Sequence, residues 1–296
     1  MNFICYILLF SFSFSITLQE AYDFSDSYGN YDKYVILESN STYTGGLGIY
    51  EGNVFIDCNG AIIDLELGNG IWVYADEYYP SHLDIENCVV TNSDYYGLSY
   101  GGTSTGSITN CNLINTNFGL KLFDETHVIV TNSIFSSNNT FGIGLYTELP
   151  NLEISYSLFW ENVESDCMEN CPGWGGIWTQ YEFEDNLGLL YADPLFTDDN
   201  NWDFNLNNNS PCIDSGNPNL FDDDGSISDI GAYSFNNDFC NIQGDLNQDN
   251  IVNVLDVVEI VNCILFNDCG SVCFDLNDDN EYNVLDILTI VNIIIN

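Results

Sequence analysis

Four segments of the chain superpose on one another: Ile85-Glu-Asn-Cys88, Ile108-Thr-Asn-Cys111, Val130-Thr-Asn-Ser133 and Ile154-Ser-Tyr-Ser157, starting 23, 22 and 24 residues apart. Two positions after each Cys or Ser stands an apolar residue: Val90, Leu113, Phe135 and Phe159. A second motif keeps the same pace, Tyr96-Gly-Leu98, Phe118-Gly-Leu120 and Phe141-Gly-Ile143. Short β-branched runs separated by Asn, Ser and Gly read as strands joined by tight turns. A period of this length without helical signal implies a parallel β-solenoid, because a single coil cannot bury its inward side chains and stacked coils can. Cys88, Cys111, Ser133 and Ser157 are then an inward stack of small side chains, and Asn87, Asn110 and Asn132 an amide ladder at a turn. Val54 to Ile63 reads as a first coil in the same style.

Taken together, these rungs resemble the right-handed parallel β-helix of pectate-lyase-like proteins. Downstream, Ala192-Asp-Pro-Leu-Phe196, Asn209-Ser-Pro-Cys-Ile-Asp-Ser-Gly216 and the run from Asp222 to Tyr233 resemble the closing region of secreted bacterial β-helix proteins. That resemblance implies a cap over the solenoid end, and a disulfide at Cys212, where the usual residue is alanine. The β-helix with its cap is assigned to residues 25–236. Asp222, Asp223, Asp224 and Asp229 read either as a cation site or as an acidic surface turn.

The C-terminus carries a duplication of another kind. From Asp245 the chain reads Asp-Leu-Asn-Gln-Asp-Asn-Ile-Val-Asn-Val-Leu-Asp256, and thirty residues on, Asp-Leu-Asn-Asp-Asp-Asn-Glu-Tyr-Asn-Val-Leu-Asp286. Calcium takes six to eight oxygen ligands, and a twelve-residue loop supplies them from positions 1, 3, 5, 7, 9 and 12. The first loop offers Asp245, Asn247, Asp249, the Ile251 carbonyl, Asn253 and Asp256. The second offers Asp275, Asn277, Asp279, the Glu281 carbonyl, Asn283 and Asp286. Two Ca2+ ions are therefore expected. The sixth position holds Asn250 and Asn280 in place of Gly, the side chain that best tolerates a left-handed backbone.

No helix is evident before either loop, whereas apolar helices follow both, over Val254 to Leu265 and Val284 to Ile295. Loop then helix, twice, resembles a type I dockerin across roughly residues 240–296. The chain thus reads as mostly β, a right-handed parallel β-helix followed by a small α-helical dockerin-like domain. The resemblance implies a cohesin-like partner domain, met by Val254 with Leu255 and Val284 with Leu285. Dockerins often carry hydroxylated residues at those positions, so the alternative is that the four pack within the module or on its own solenoid.

Charge narrows the partners. Forty-five acidic residues face two basic ones, Lys33 and Lys121, for a net charge of -43. Such a surface repels nucleic acid and anionic membranes and attracts divalent cations. Residues 1–20 read as a signal peptide whose apolar core runs from Phe3 to Leu18, with cleavage expected between Thr17 and Ala21 and an uncleaved anchor as the alternative. Eleven cysteines suit export, and their pairing is not legible from sequence. The expected location is outside a bacterial cell or on its surface, with no membrane contact after signal removal.

Catalysis is the open question. Pectate-lyase-like enzymes use Arg or Lys with calcium; this chain has no Arg, and Lys121 is its single candidate, with an outward solvated side chain the favoured reading of it. A glycoside hydrolase needs two carboxylates flanking the sugar bond; with 45 acids, pairs are inevitable. Trp72, Tyr78, Tyr79, Trp160, Trp174 and Trp178 are candidates for stacking on sugars or for filling coils, and the insertion from Glu161 to Gly173 is a candidate binding loop. The favoured reading is a non-catalytic, polysaccharide-associated β-helix docked through its calcium module. The alternatives are a glycoside hydrolase rather than a polyuronate lyase, and a structural surface or matrix component.

Overall fold

The structure is a computed structural model that describes residues 16–147, 151–162, 177–179, 188–222, 224–235, 243–247, 251–266, 274, 276–277 and 282–295. Helix α1 (Leu18–Phe24) comes first, closed by a capping box in which Thr17 and Glu20 satisfy each other's backbone amides. The chain then winds through coils of three strands. The first coil holds β1 (Lys33–Ile36), β2 (Thr42–Thr44) and β3 (Leu47–Ile49). The second holds β4 (Gly52–Asp57), β5 (Ile62–Leu67) and β6 (Ile71–Ala75). The third holds β7 (Ser81–Glu86), β8 (Val89–Ser93) and β9 (Tyr96–Gly102), and the fourth β10 (Thr105–Thr109), β11 (Asn112–Ile114) and β12 (Phe118–Leu122). The fifth holds β13 (His127–Thr131), β14 (Ile134–Ser136) and β15 (Phe141–Leu145), and the sixth β16 (Asn151–Ser155), β17 (Leu158–Trp160) and β18 (Ile177–Thr179).

Each strand pairs in parallel with its counterpart one coil away, giving three sheets, β1-β4-β7-β10-β13-β16, β2-β5-β8-β11-β14-β17 and β3-β6-β9-β12-β15-β18. Strand β19 (Leu190–Tyr191) extends the second sheet. The register puts Ile63, Val90, Leu113, Phe135 and Phe159 in one inward row, all fully buried. The segment read as a first coil, Val54 to Ile63, forms β4 and the start of β5 and is preceded by one coil more.

Cys88, Cys111, Ser133 and Ser157 are fully buried. The Cys111 amide donates to Ser133 Oγ at 3.2 Å and the Ser133 amide to Ser157 Oγ at 3.2 Å. Cys88 is bonded to Cys58 of the preceding coil, lengthening the stack by one. Asn87, Asn110 and Asn132 all adopt positive φ, the conformation in which asparagine is the best of the non-glycine residues. Asn110 Nδ2 donates to Asn87 Oδ1 at 3.4 Å and Asn87 Nδ2 to Asp57 Oδ1 at 3.1 Å. Asn132 leaves this ladder: its Nδ2 donates to Ser228 Oγ at 2.9 Å and its Oδ1 accepts from the Asn217 amide at 2.8 Å.

That departure has a cause in the segment after β19. The hairpin β20 (Phe196–Asp198) and β21 (Asp203–Leu206) and the stretch up to Phe235 do not lie across the solenoid end, as the resemblance implied, but run back along the outside of the second sheet. The outward row of that sheet, Ile62, Val89, Asn112, Ile134 and Leu158, is largely apolar and needs cover. Leu206, Cys212 and Ile230 pack on Ile134 and Leu158, and Phe204 and Ala232 pack on Val89 and Ile114. Asn112 Oδ1 accepts from the Ala232 amide at 3.0 Å, and Tyr233 reaches Gly60 O at 2.9 Å. Cys212 is a buried free thiol in this packing, so the expected disulfide there is not formed.

Leu18 is fully buried in the solenoid core, and Thr17 pairs with Thr44 beside β2. Cleavage anywhere after Leu18 would remove a side chain that packs in the solenoid core. The C-terminal part has a core of its own around Ile260, Leu276 and Ile290, formed by α2 (Val254–Phe266) and α3 (Val284–Ile295). Cys263 there is disulfide-bonded. Among the described residues no helix is long and apolar enough to cross a membrane.

Candidate functional site

The third sheet turns an aromatic face outward. In β6, Ile71, Val73 and Ala75 point inward, so Trp72 and Tyr74 share the outer face. The register continues Trp72 through Gly48 below and Ser99, Lys121, Gly144 and Trp178 above, and places Tyr74 beside Gly101. Glycine at these positions lets rings lie down on the sheet. A Cβ on Gly101 would come 3.2 Å from the Trp72 indole and 3.3 Å from the Tyr74 ring. A Cβ on Gly144 would come 2.9 Å from Tyr146, and one on Gly48 2.7 Å from Tyr50.

The rings form a continuous surface. Trp72 and Tyr74 are 6.2 Å apart and 8° from parallel, and Trp72 is 6.2 Å from both Tyr96 and Phe123. Phe123 stacks on Tyr146 at 5.1 Å and 22°, and Tyr146 meets Phe118 edge-on at 5.9 Å. At the first-coil end lies a groove of 540 Å³ lined by Gly46, Gly48, Tyr50, Gly70, Trp72 and Tyr96. Its floor is bare backbone, since a Cβ on Gly46 or Gly70 would overlap the carbonyls of Asn69 or Gly97.

Lys121 stands within this surface. Its ammonium is 4.0 Å from the Phe118 centroid, 4.9 Å from Tyr146 and 5.8 Å from Phe123, an arrangement in which the ring quadrupoles hold the cation. Burial pulls its pKa below the usual lysine range. The lone candidate for a lyase base is thus neither a solvated outward side chain nor a free one. Tyr50, Tyr74, Tyr96 and Tyr146 were not legible as a set. Tyr78 and Tyr79 sit apart, in the turn before β7, where both amides donate to Asp76 Oδ1. Trp160 packs on the flanking segment. Trp174 and most of the insertion, including Cys167 and Cys171, lie outside the described residues.

A second cluster, unread in the sequence, lies on the first sheet. Asp84 Oδ2 accepts from Tyr31 at 2.8 Å and lies 2.8 Å from His82 Nε2, while Oδ1 accepts from Ser107 at 2.5 Å. Burial opposes ionisation of Asp84, but the His82, Ser107 and Tyr31 hydrogen bonds outweigh it and hold the carboxyl below the usual range. The same bonding and burial push the Tyr31 phenol up to about 12. The residues come from β7, β10 and the segment before β1, so this cluster ties the N-terminal segment to the solenoid.

The family described as "Right handed beta helix region" matches residues 28–186. The chain belongs to this family. The three-sheet coil of this right-handed β-helix is therefore both observed in the structure and matched in the sequence. Among solved structures, the crystal structure of pectate lyase Pel9A aligns with 70% of this chain and 89% of its own, at 14% identity and a TM-score of 0.29. A likeness at that score carries no weight for fold or function. No curated protein matches the chain.

Beyond the β-helix, the two terminal repeats are built alike. Asp256 Oδ1 accepts from the amides of Leu246 and Asn247 at 2.8 and 3.1 Å, and Oδ2 from Asn253 at 2.7 Å. Asp286 Oδ1 accepts from Leu276 at 2.9 Å and Oδ2 from Asn283 at 2.9 Å. Both carboxylates are fully buried. Asn253 and Asn283 cap the helices, each Oδ1 accepting from the amide two residues on at 2.8 Å. The Ile251 carbonyl accepts from Asn253 Nδ2 at 3.0 Å. Asp245 is also buried, and Asn277 is exposed. Asp249, Asp275, Asp279 and Glu281 lie outside the described residues. The donors in place are carboxylate, amide and carbonyl oxygens, which suit a hard dication. Val254, Leu255, Val284 and Leu285 are all at least half exposed, so they do not fill the module's own core.

Proposed function

We propose that this right-handed β-helix is a secreted, non-catalytic polysaccharide-binding protein, held to a partner through its duplicated C-terminal module. The flat ring surface of Trp72, Tyr74, Phe123 and Tyr146, lying over Gly101 and Gly144, carries the reading. Sugar rings offer one apolar C–H face and a rim of hydroxyls, so they stack on rings that lie flat and bind poorly to rings that stand on edge. Strands one coil apart are spaced by about 4.8 Å, close to the length of one pyranose residue, so a glycan chain running along the solenoid meets one coil per sugar.

The module supports the second half of the proposal. Asp256 and Asp286 with Asp245, Asn247, Asn253, Asn277, Asn283 and the Ile251 carbonyl, completed by Asp249, Asp275, Asp279 and Glu281, would hold two calcium ions. Calcium supplies the positive charge that lets clustered carboxylates fold together; the chain supplies the backbone amides that orient Asp256 and Asp286. The exposed Val254-Leu255 and Val284-Leu285 pairs offer a cohesin-like domain two equivalent apolar contacts. The hydrolase alternative needs carboxylates beside the rings. Asp222 and Asp229 are drawn together, with the Asp229 amide donating to Asp222 at 3.0 Å, but they lie at the turn between the first and second sheets.

Electrophoresis of the full chain through gels containing dissolved polysaccharides tests the proposal. Retardation without reducing-sugar release supports binding without hydrolysis. Migration unaffected by every polysaccharide, or release of sugar, contradicts it.

A further inference from the structure

We infer that the third-sheet face takes uncharged glycans and rejects polyuronates. The inference rests on that face being the glycan site and adds the class of sugar. An anionic sugar needs a cation that is free to meet it, and both basic residues are committed elsewhere. Lys33 donates to the carbonyls of Asp23 at 3.0 Å and Ser25 at 2.8 Å. Lys121 is half-buried among Phe118, Phe123 and Tyr146, with its nearest ring 4.0 Å away. The three rings hold the ammonium in place and cover part of it, which limits how a carboxylate can pair with it.

What remains on the face is neutral or negative. Among the described residues the groove lining carries no charge, only glycines, Leu47, Tyr50, Asn69, Trp72 and Tyr96. At the edge beyond Phe123, Asp124 accepts from the Gly102 amide at 2.9 Å and adds a negative charge. The whole chain carries -43, so a polyanion approaches against a repulsive field. A neutral chain meets no such barrier, and stacking on rings is not screened by salt as ion pairing is.

Isothermal titration of the full chain with a neutral glucan, a neutral xylan and a polygalacturonate, each at 50 and 500 mM salt and with calcium or chelator, decides the matter. The neutral glycans should bind at least about tenfold tighter than the polyuronate, independently of salt. Trp72→Ala should weaken them about tenfold, with Tyr146→Ala as a second variant should the first not fold. Polyuronate binding equal to or tighter than the neutral chains, with or without calcium, would overturn the inference and leave the face as a glycan site. Binding of none of the three would overturn the underlying reading itself.

Discussion

The Trp72 indole lies 8° from parallel with the Tyr74 ring, 6.2 Å between centroids, and both rest against Gly101 on the next coil. The pair is flat because a glycine stands where the outward row would otherwise raise a side chain. Gly101→Val should lift both rings off the sheet. The added side chain points outward and the inward row of Leu98 and Tyr100 is untouched, so the fold should persist while glycan affinity drops about tenfold. Circular dichroism and affinity electrophoresis of the variant check the two halves of this prediction.

Asp256 and Asp286 each accept backbone amides with both carboxylate oxygens. Replacing either by alanine leaves buried or partly buried amides unpaired, at about 1–3 kcal/mol for each group, and removes one proposed calcium ligand. Calorimetric titration of the full chain should find two calcium sites, and one in each single variant. The melting transition of the terminal module should fall in both variants.

The Cys58–Cys88 disulfide closes a loop of 30 residues between neighbouring coils. Cys58→Ser should lower the unfolding free energy by about 3 kcal/mol, read from the urea midpoint, without altering the cysteine and serine stack above it.

The coils were legible because inward positions repeat: Val90, Leu113, Phe135 and Phe159 needed only their spacing. The outward rings were not. The Tyr96-Gly-Leu98 and Phe118-Gly-Leu120 motifs mark only the pace of the repeat, yet a Cβ on Gly119 would meet the interior Phe135 and Asn138 side chains. Gly119 therefore faces the core, and Phe118 is left on the Lys121 side, a local irregularity that strict alternation does not announce. The interior ladder of Thr116, Asn138 and Asn162 was missed because its partners lie far apart in sequence: Thr116 Oγ1 donates to Asn138 Oδ1, 22 residues away, and Asn138 Nδ2 to Asn162 Oδ1, 24 residues away. The flanking segment was misplaced because Asn112 and Asn132, which look like turn residues, hold the returning chain.

Burial and the neighbouring Asp229 carboxylate raise the Asp222 pKa to about 6. The folded state thus holds this proton more tightly than the unfolded chain. Its contribution is full below pH 3.8 and is lost as pH rises through about 6. Thermal melts from pH 4 to 7 should show stability declining across that window, and Asp222→Asn should flatten the decline while still accepting the Asp229 amide.

Leu18 belongs to the core and Thr17 caps α1. A chain beginning at Ile16 should therefore melt higher than one beginning at Ala21, by several degrees for a lost buried leucine.

The most direct measurement is hydroxyl-radical footprinting of the full chain, read by mass spectrometry, with and without a bound neutral glycan. Protection should fall on Tyr50, Trp72, Tyr74 and Tyr146 of the third-sheet face and spare the more exposed Tyr28 and Tyr78. Unchanged oxidation along the third sheet, or protection confined to other faces, would contradict the assignment of that surface as the site where the protein holds its glycan.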